Sequence, residues 1–274
     1  MKRFTNVSFR RLTSVAVVIL LIASASAWWL LGRGIRHTID TTTPLATYDD
    51  AGYATLLNAC VDPATGYVNY DALNDDNAEL LAQYLDAIAR FGPRATPSLF
   101  PSRDDQLAYA LNAYNAVMLY QMLRHDVPDT VPKVGFFVDA WRIDGQWMSL
   151  DDLEQDWIRP EFKAPRIHAA LVCGARDCPP LRSEPFSGDM LDAQLDDQMR
   201  QFLAFDRGIR VRDGIVEVNR IFLWYEEDFD ALGGLREAFL KVIPADDVRH
   251  PAIFESNRRD WTFRAYDWSS NDTN

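Results

Sequence analysis

Two Asp-Gly dipeptides, Asp144-Gly145 and Asp213-Gly214, constrain this chain more than any other feature. Each stands between short runs of apolar and β-branched residues, the signature of a two-residue hairpin turn. The second turn sets a register. Ile209 falls opposite Val218 and Val211 opposite Val216 on one face, while Arg210 meets Glu217 on the other as a matched charge pair. Strands joined in this way are antiparallel neighbours, unlike the crossover-linked strands of a doubly wound sheet.

Helical periodicity occupies much of the remainder. Residues 49–60 read as a helix, and residues 77–91 place Leu80, Leu81, Tyr84, Leu85 and Ile88 in a 3.6-residue rhythm stopped by Gly92-Pro93. Residues 103–125 form the longest predicted helix, with Ser102 as cap and Asp105 three residues on. Ser149 opens a helix to 159 that Pro160 should stop, and 189–205 reads as an amphipathic helix. Residues 67–70 and 166–173 read as strands, and 221–242 as a helical region interrupted by Gly233-Gly234. The fold class expected is α+β: a helix-rich single domain over 48–274 with a mostly antiparallel, hairpin-linked sheet.

Charge divides the chain. It carries 28 Lys+Arg and 40 Asp+Glu, a net −12, yet residues 1–39 hold six basic residues and no acidic one. The rest therefore stands at −18. So acidic a body excludes nucleic acid as a partner, because phosphate contacts require a basic surface. Within the basic head, residues 12–31 are uncharged and nearly all apolar or small, long enough as a helix to span a bilayer. Two readings stand. Residues 15–22 form the core of a signal peptide cleaved at Ala25-Ser26-Ala27, or Trp28-Trp29-Leu30-Leu31 prolongs the segment into an uncleaved signal anchor. The apolar extension favours the anchor. On that reading residues 1–11 are a cytoplasmic basic terminus, 32–47 a linker, the membrane is a partner, and the domain lies outside the cytoplasm as a single-pass protein. The alternative is a secreted or periplasmic protein.

Three constellations could carry chemistry. In the long helix, Asn112 and Asn115 share one face and flank Tyr114, either lining a cleft as amides that orient a carbonyl or forming a buried structural network. Next, His168 precedes Cys173 and Cys178. In an extended strand His168 and Cys173, five apart, would face opposite ways, which weakens a Cys–His pairing. The two cysteines close a tight loop as a disulfide, or Cys173 is a free reactive thiol; Cys60 is left over. No Cys-x-x-Cys or His-x-x-x-His spacing occurs, so neither a metal nor another cofactor is implied. Third, Trp224-Tyr225-Glu226-Glu227-Asp228-Phe229 interleaves rings with acids. Its rings read as packing, its acids as a solvated face, and Asp228 as the candidate carboxylate. Tyr266-Asp267-Trp268 repeats that pattern near the end of the chain.

Taken in order, these segments resemble the domain-of-unknown-function family 547. The residues that carry the likeness are Asn112-Ala-Tyr114-Asn115-Ala, Ser149-Leu150-Asp151-Asp152-Leu153-Glu154, Arg166-Ile-His168-Ala-Ala-Leu-Val-Cys173-Gly174-Ala, Cys178-Pro179-Pro180-Leu181, Leu191-Asp192-Ala-Gln194-Leu195-Asp196, Ile221-Phe222-Leu-Trp224-Tyr225-Glu-Glu-Asp228-Phe229 and Tyr266-Asp267-Trp268. The likeness runs over about 48–268. Asp177 departs from the small Ser that usually precedes the second Cys. The resemblance implies kinship of fold and no reaction. At the level of analogy, the Asn112-to-Asn115 helix and the later His168 are similar to the nucleophile helix and histidine of papain-like and transglutaminase-like proteins, with Asn112 where those enzymes carry cysteine.

The functional expectation is a hydrolase or acyl-transfer enzyme acting on a small amide or peptide-like ligand. His168 would serve as acid or base, Asn112 and Asn115 would position a carbonyl, and Asp228 would orient His168. Tyr114, Cys173, Cys178, Trp224 and Tyr225 would line the binding site. The alternatives are a non-catalytic binding or assembly module of the cell envelope, and a thiol-redox protein using Cys173 and Cys178.

Overall fold

The computed structural model describes residues 35–132 and 135–274, and its fold is α+β. A two-residue strand β1 (Arg36–His37) starts it. Helices α1 (Ala51–Cys60), α2 (Asp75–Arg90) and α3 (Arg103–Arg124) follow, and then the hairpin β2 (Ala140–Ile143) and β3 (Gln146–Met148). A π-helical segment, Asp152–Ile158, runs directly into α4 (Arg159–Phe162), and a 3-10 turn, Pro165–Ala169, carries the chain towards α5 (Leu191–Ala204). The second hairpin is β4 (Ile209–Arg212) and β5 (Ile215–Val218). After it come α6 (Ile221–Trp224), a 3-10 stretch Glu226–Leu232, α7 (Leu235–Val242), α8 (His250–Glu255) and β6 (Thr262–Phe263).

Both Asp-Gly hairpins form. Asp144 and Asp213 adopt φ of 51° each, and Gly145 and Gly214 follow at 73° and 77°, the backbone that a two-residue turn between twisted strands demands. The β4–β5 register is the expected one, and Arg210 pairs with Glu217 across it. Each hairpin gains one parallel strand: β1 beside β2, and β6 beside β5. The sheets are thus small and mixed rather than one antiparallel unit.

Helix α3 is the central beam. The Ser102–Asp105 capping box starts it, and every residue from Leu107 to Leu119 is buried. A helix enclosed on all sides cannot show an amphipathic stripe, so its apolar residues are spread around the barrel. Two apolar clusters form. The larger is built on α1, α2, α3 and the residues around 150–195; the smaller joins β4, β5, α6, α7 and α8 to Phe202 of α5.

Several expectations need correcting. The segment 12–31 lies outside the described residues. Among the described residues no helix is long and apolar enough to cross a membrane. The transmembrane signal anchor, the membrane as partner and the single-pass location are therefore withdrawn. Part of the expected linker is docked: Ile35 N donates to Asp139 Oδ1 at 3.0 Å, His37 Nε2 lies 2.7 Å from Asp139 Oδ2, and the Thr41 and Thr42 hydroxyls donate to Glu79 Oε1 at 2.8 Å. Residues 67–70 contribute only two isolated bridges at Val68, to Val61 and Asp272, because Tyr70 already opens a 3-10 turn. Pro160 does not stop its helix; the chain passes through it to Phe162 and ends at Lys163 in the left-handed region. Arg159 N still donates to Glu154 O in the π-helical pattern, and the missing N–H of Pro160 falls where that pattern gives way to α-helix.

The strand expected at 166–173 is instead the 3-10 turn Pro165–Ala169 and a loop. Pro165 presets the turn, and among the described residues no strand pairs with the segment. A side chain takes that role. Asn115 Nδ2 donates to Ala170 O at 3.0 Å, and Val172 N donates to Asn115 Oδ1 at 3.0 Å.

Candidate functional site

His168 sits in that turn, 2% exposed, with its ring stacked on Tyr225 at 4.0 Å between centroids and 11° between planes. Its Nε2 lies 2.7 Å from Asp228 Oδ2. Arg159 grips the same carboxylate with two bonds, Nε to Oδ2 and Nη2 to Oδ1, each 2.8 Å. The bond from His168, joined by those from Arg159, holds the Asp228 carboxyl well below the usual carboxylate range. An ionised carboxylate only accepts, so His168 Nε2 is the donor in this bond.

Beside this chain lies a pocket of about 300 Å³. Tyr114, Phe137, Trp224, Tyr225, Tyr266 and Trp268 supply six rings to its wall; His168, Asp151, Glu154, Leu171, Ile221 and Cys173 complete it. Glu154 comes from the π-helical segment, whose reciprocal cap is made by Ser149 and Asp152: Asp152 N donates to Ser149 Oγ at 3.0 Å and Ser149 N to Asp152 Oδ2 at 2.8 Å. The same segment and the start of α4 thus deliver Glu154 to the pocket and Arg159 to Asp228. Burial pushes the Glu154 carboxyl above its ordinary range, against hydrogen bonds from Tyr225 and Tyr114 that pull it down. Asp151 is likewise raised, by burial and then by the charges of Asp152 and Asp156. Burial, then the Glu154 charge, pushes the Tyr225 phenol up.

Cys173 and Cys178 form a disulfide, with Cα atoms 6.0 Å apart. Tyr266 Oη lies 3.1 Å from Cys173 Sγ and 3.3 Å from Cys178 Sγ. Gly174, at φ +77°, lets the loop press on α3; a Cβ there would stand 2.8 Å from Met122 Sδ. The remaining cysteine, Cys60, is buried, and burial pushes its thiol up to about 12.

The sequence-chosen residues divide between two environments. His168, Tyr114, Cys173, Trp224 and Tyr225 line the pocket, and Asp228 holds His168 from behind. Asn112 and Asn115 do not line it. Asn112 Nδ2 donates to Phe186 O at 2.8 Å and Phe186 N donates to Asn112 Oδ1 at 2.9 Å, so both amides are spent on backbone. Each Nδ2 keeps a second N–H, but neither side chain is in the pocket lining, where a carbonyl would have to be positioned. Trp224, expected to pack, is 45% exposed. Glu154, Arg159, Asp151, Tyr266 and Trp268 join the site without having been chosen for it. Glu154 had a signal, since it lies three residues after Asp151 on the helix that Ser149 opens. Arg159 had none. No group of three or more His, Cys, Asp or Glu side chains that could hold a metal forms among the described residues.

Fold and site together define an α+β domain with an acidic, ring-walled pocket backed by a buried His–Asp–Arg chain. Residues 99–203 match the family described as protein of unknown function, DUF547, and the chain resembles that family there. The match spans α3 to α5 and includes Glu154, Arg159, His168 and both cysteines of the disulfide; Trp224, Tyr225, Asp228 and Tyr266 lie beyond it. No curated protein and no solved structure matches the chain. The papain-like and transglutaminase-like analogy is not confirmed.

Proposed function

We propose that this pocket is the active site of a hydrolase or acyl-transfer enzyme for a small amide- or peptide-like ligand. One observation carries the reading: a histidine oriented by an ionised aspartate and a carboxyl raised by burial line one small cavity. Asp228 is held down and Glu154 is pushed up, the kind of opposed environments in which acid–base chemistry is found. His168 Nδ1 takes the proton of an attacking water or hydroxyl, and protonated Glu154 supplies one to the departing nitrogen. Asp228 and Arg159 are positioning residues.

The disulfide favours a second reading, a binding module without catalysis, because it leaves no free thiol nucleophile at Cys173. The deciding experiment screens the protein against small amides and esters beside His168→Ala and Glu154→Gln. Turnover that both variants lose supports the enzyme. Turnover unchanged in His168→Ala, or none in any protein, refutes it.

A further inference from the structure

Trp224, Tyr266 and Trp268 contact one another in the pocket wall, with centroids 5.0 Å apart for Trp224–Tyr266, 4.7 Å for Tyr266–Trp268 and 6.0 Å for Trp224–Trp268. Trp224 is 45% exposed whereas Tyr114 is 3% exposed, so rings run from the solvent side to the buried end. Ring faces carry negative potential. The acidic side chains beside them in the lining are Asp151 and Glu154, with neither lysine nor arginine among the described lining residues. Such a wall repels anions and rewards a cation that sheds water easily. An inorganic cation would need several oxygen ligands converging on it, and no cluster of three candidate ligands forms among the described residues. An alkylated ammonium needs none, because its methyl groups pack on ring faces and its charge is spread over them.

We infer that the pocket takes a ligand bearing a quaternary or alkylated ammonium group, seated against Trp224 and Tyr266 with Asp151 as counter-charge. The inference rests on the reading of this pocket as the substrate site and names the substrate class. In that arrangement the cationic group anchors the ligand on the aromatic side, and the amide to be attacked lies towards His168. The net charge of −18 beyond residue 39 adds a long-range field that draws cations in.

Choline and 3,3-dimethylbutan-1-ol share one shape and differ by the charge on one atom, which makes them the probes. Calorimetry on the full chain should show choline binding about tenfold more tightly than the alcohol. Trp224→Ala, half-exposed and therefore outside both cores, should weaken choline about fivefold and leave the alcohol nearly unchanged. Asp151→Asn should weaken choline as well. Trp147→Ala, on the β3 strand away from the pocket lining, should leave choline affinity unaltered. Equal affinity for choline and the alcohol, no choline binding, or choline binding indifferent to Trp224→Ala overturns the inference. The enzyme reading fails separately. Choline selectivity without turnover of any amide or ester leaves the cation pocket standing and removes catalysis; His168-dependent turnover with no preference for cationic amides does the reverse.

Discussion

Asp228→Asn tests the chain of groups behind the pocket with almost no change of shape. The wild-type carboxylate accepts three charge-assisted bonds, from His168 Nε2 and from Arg159 Nε and Nη2. An asparagine has one acceptor oxygen. If it faces His168 Nε2 and Arg159 Nε, the amide NH2 opposes Arg159 Nη2, donor against donor; if it flips, the clash moves to Arg159 Nε and the histidine must change tautomer. Bonds to charged groups contribute about 1.5–3 kcal/mol each, and Arg159 keeps a longer contact to Glu227 at 3.3 Å. Side-chain exposures of 1% for His168, 19% for Arg159 and 24% for Asp228 let water replace part of the loss. The variant should therefore lose about 2–3 kcal/mol at pH 7. Asp228 is held below its unfolded value, so its contribution is fully present above about pH 3.9 and declines as pH falls towards the folded value. At pH 3 the folded wild type stays ionised while the unfolded chain takes up the proton, so the gap should narrow by about 1 kcal/mol. Urea denaturation of both proteins from pH 7 to pH 3 measures it. A gap that is absent at pH 7, or that stays constant or widens towards pH 3, refutes the assignment of Asp228 as the ionised partner.

Three further outcomes are expected. Asn115→Ala leaves Ala170 O and Val172 N without their partner and should cost about 2–4 kcal/mol, as should Asn112→Ala at Phe186; only the first should also disturb choline binding, because only it borders the His168 loop. Equal disturbance by both would restore a direct site role for Asn112. Reduction of the Cys173–Cys178 bridge opens a six-residue loop and should lower stability by about 2 kcal/mol, read from urea midpoints with and without reductant; no shift would mean that the bridge is not formed in solution. Burial raises Glu154, so its contribution is full below its unfolded value of about 4.3 and is lost as pH rises through the folded value. Glu154→Gln should accordingly gain melting temperature on wild type as pH rises above about 4.3, and parallel melting curves on both sides of that pH would contradict a raised Glu154.

Local chemistry was legible in the sequence where the backbone itself demanded it. Asp213-Gly214 gave its hairpin, register and Arg210–Glu217 pair because a two-residue turn permits one alignment. Ser102 with Asp105 gave the start of α3 for the same kind of reason. Asp144 shows where legibility stops. Its turn was readable, but its buried carboxylate also accepts from Arg94 N and Ala95 N, holding a distant loop that no local pattern announces. His168 fails as a strand residue because the apolar run around it is buried by neighbours in space, and a run of apolar residues reads alike for a strand and for an enclosed turn. Asn112 and Asn115 were rightly singled out as odd residues for a helix interior. Whether an amide meets backbone or ligand depends on what lies opposite it, and Phe186 and Ala170 stand 74 and 55 residues away.

The position of the pocket follows from the same long-range logic. Ile167, Ala170 and Leu171 belong to the larger apolar cluster, whereas Ala169 packs in the smaller one with Phe222 and Phe229. His168 therefore lies on the seam between them. Arg159 and His168 approach from the larger cluster's side, and Asp228 comes from the residue before Phe229 on the other. Two further ties cross nearby: Asn219 Nδ2 to Asp177 O at 2.8 Å, and Arg207 Nε to Cys178 O at 3.1 Å. Apolar packing fixes each cluster internally but is non-directional, so it does little to set the spacing between two clusters that meet along one edge. Directional bonds do that, and the cavity between Tyr114 on α3 and Trp224 on α6 inherits its width from them. Asp228 does not line the cavity, yet its loss should change the cavity. A seam role weakens choline binding in step with stability; a role confined to orienting His168 removes turnover and leaves choline affinity where it was.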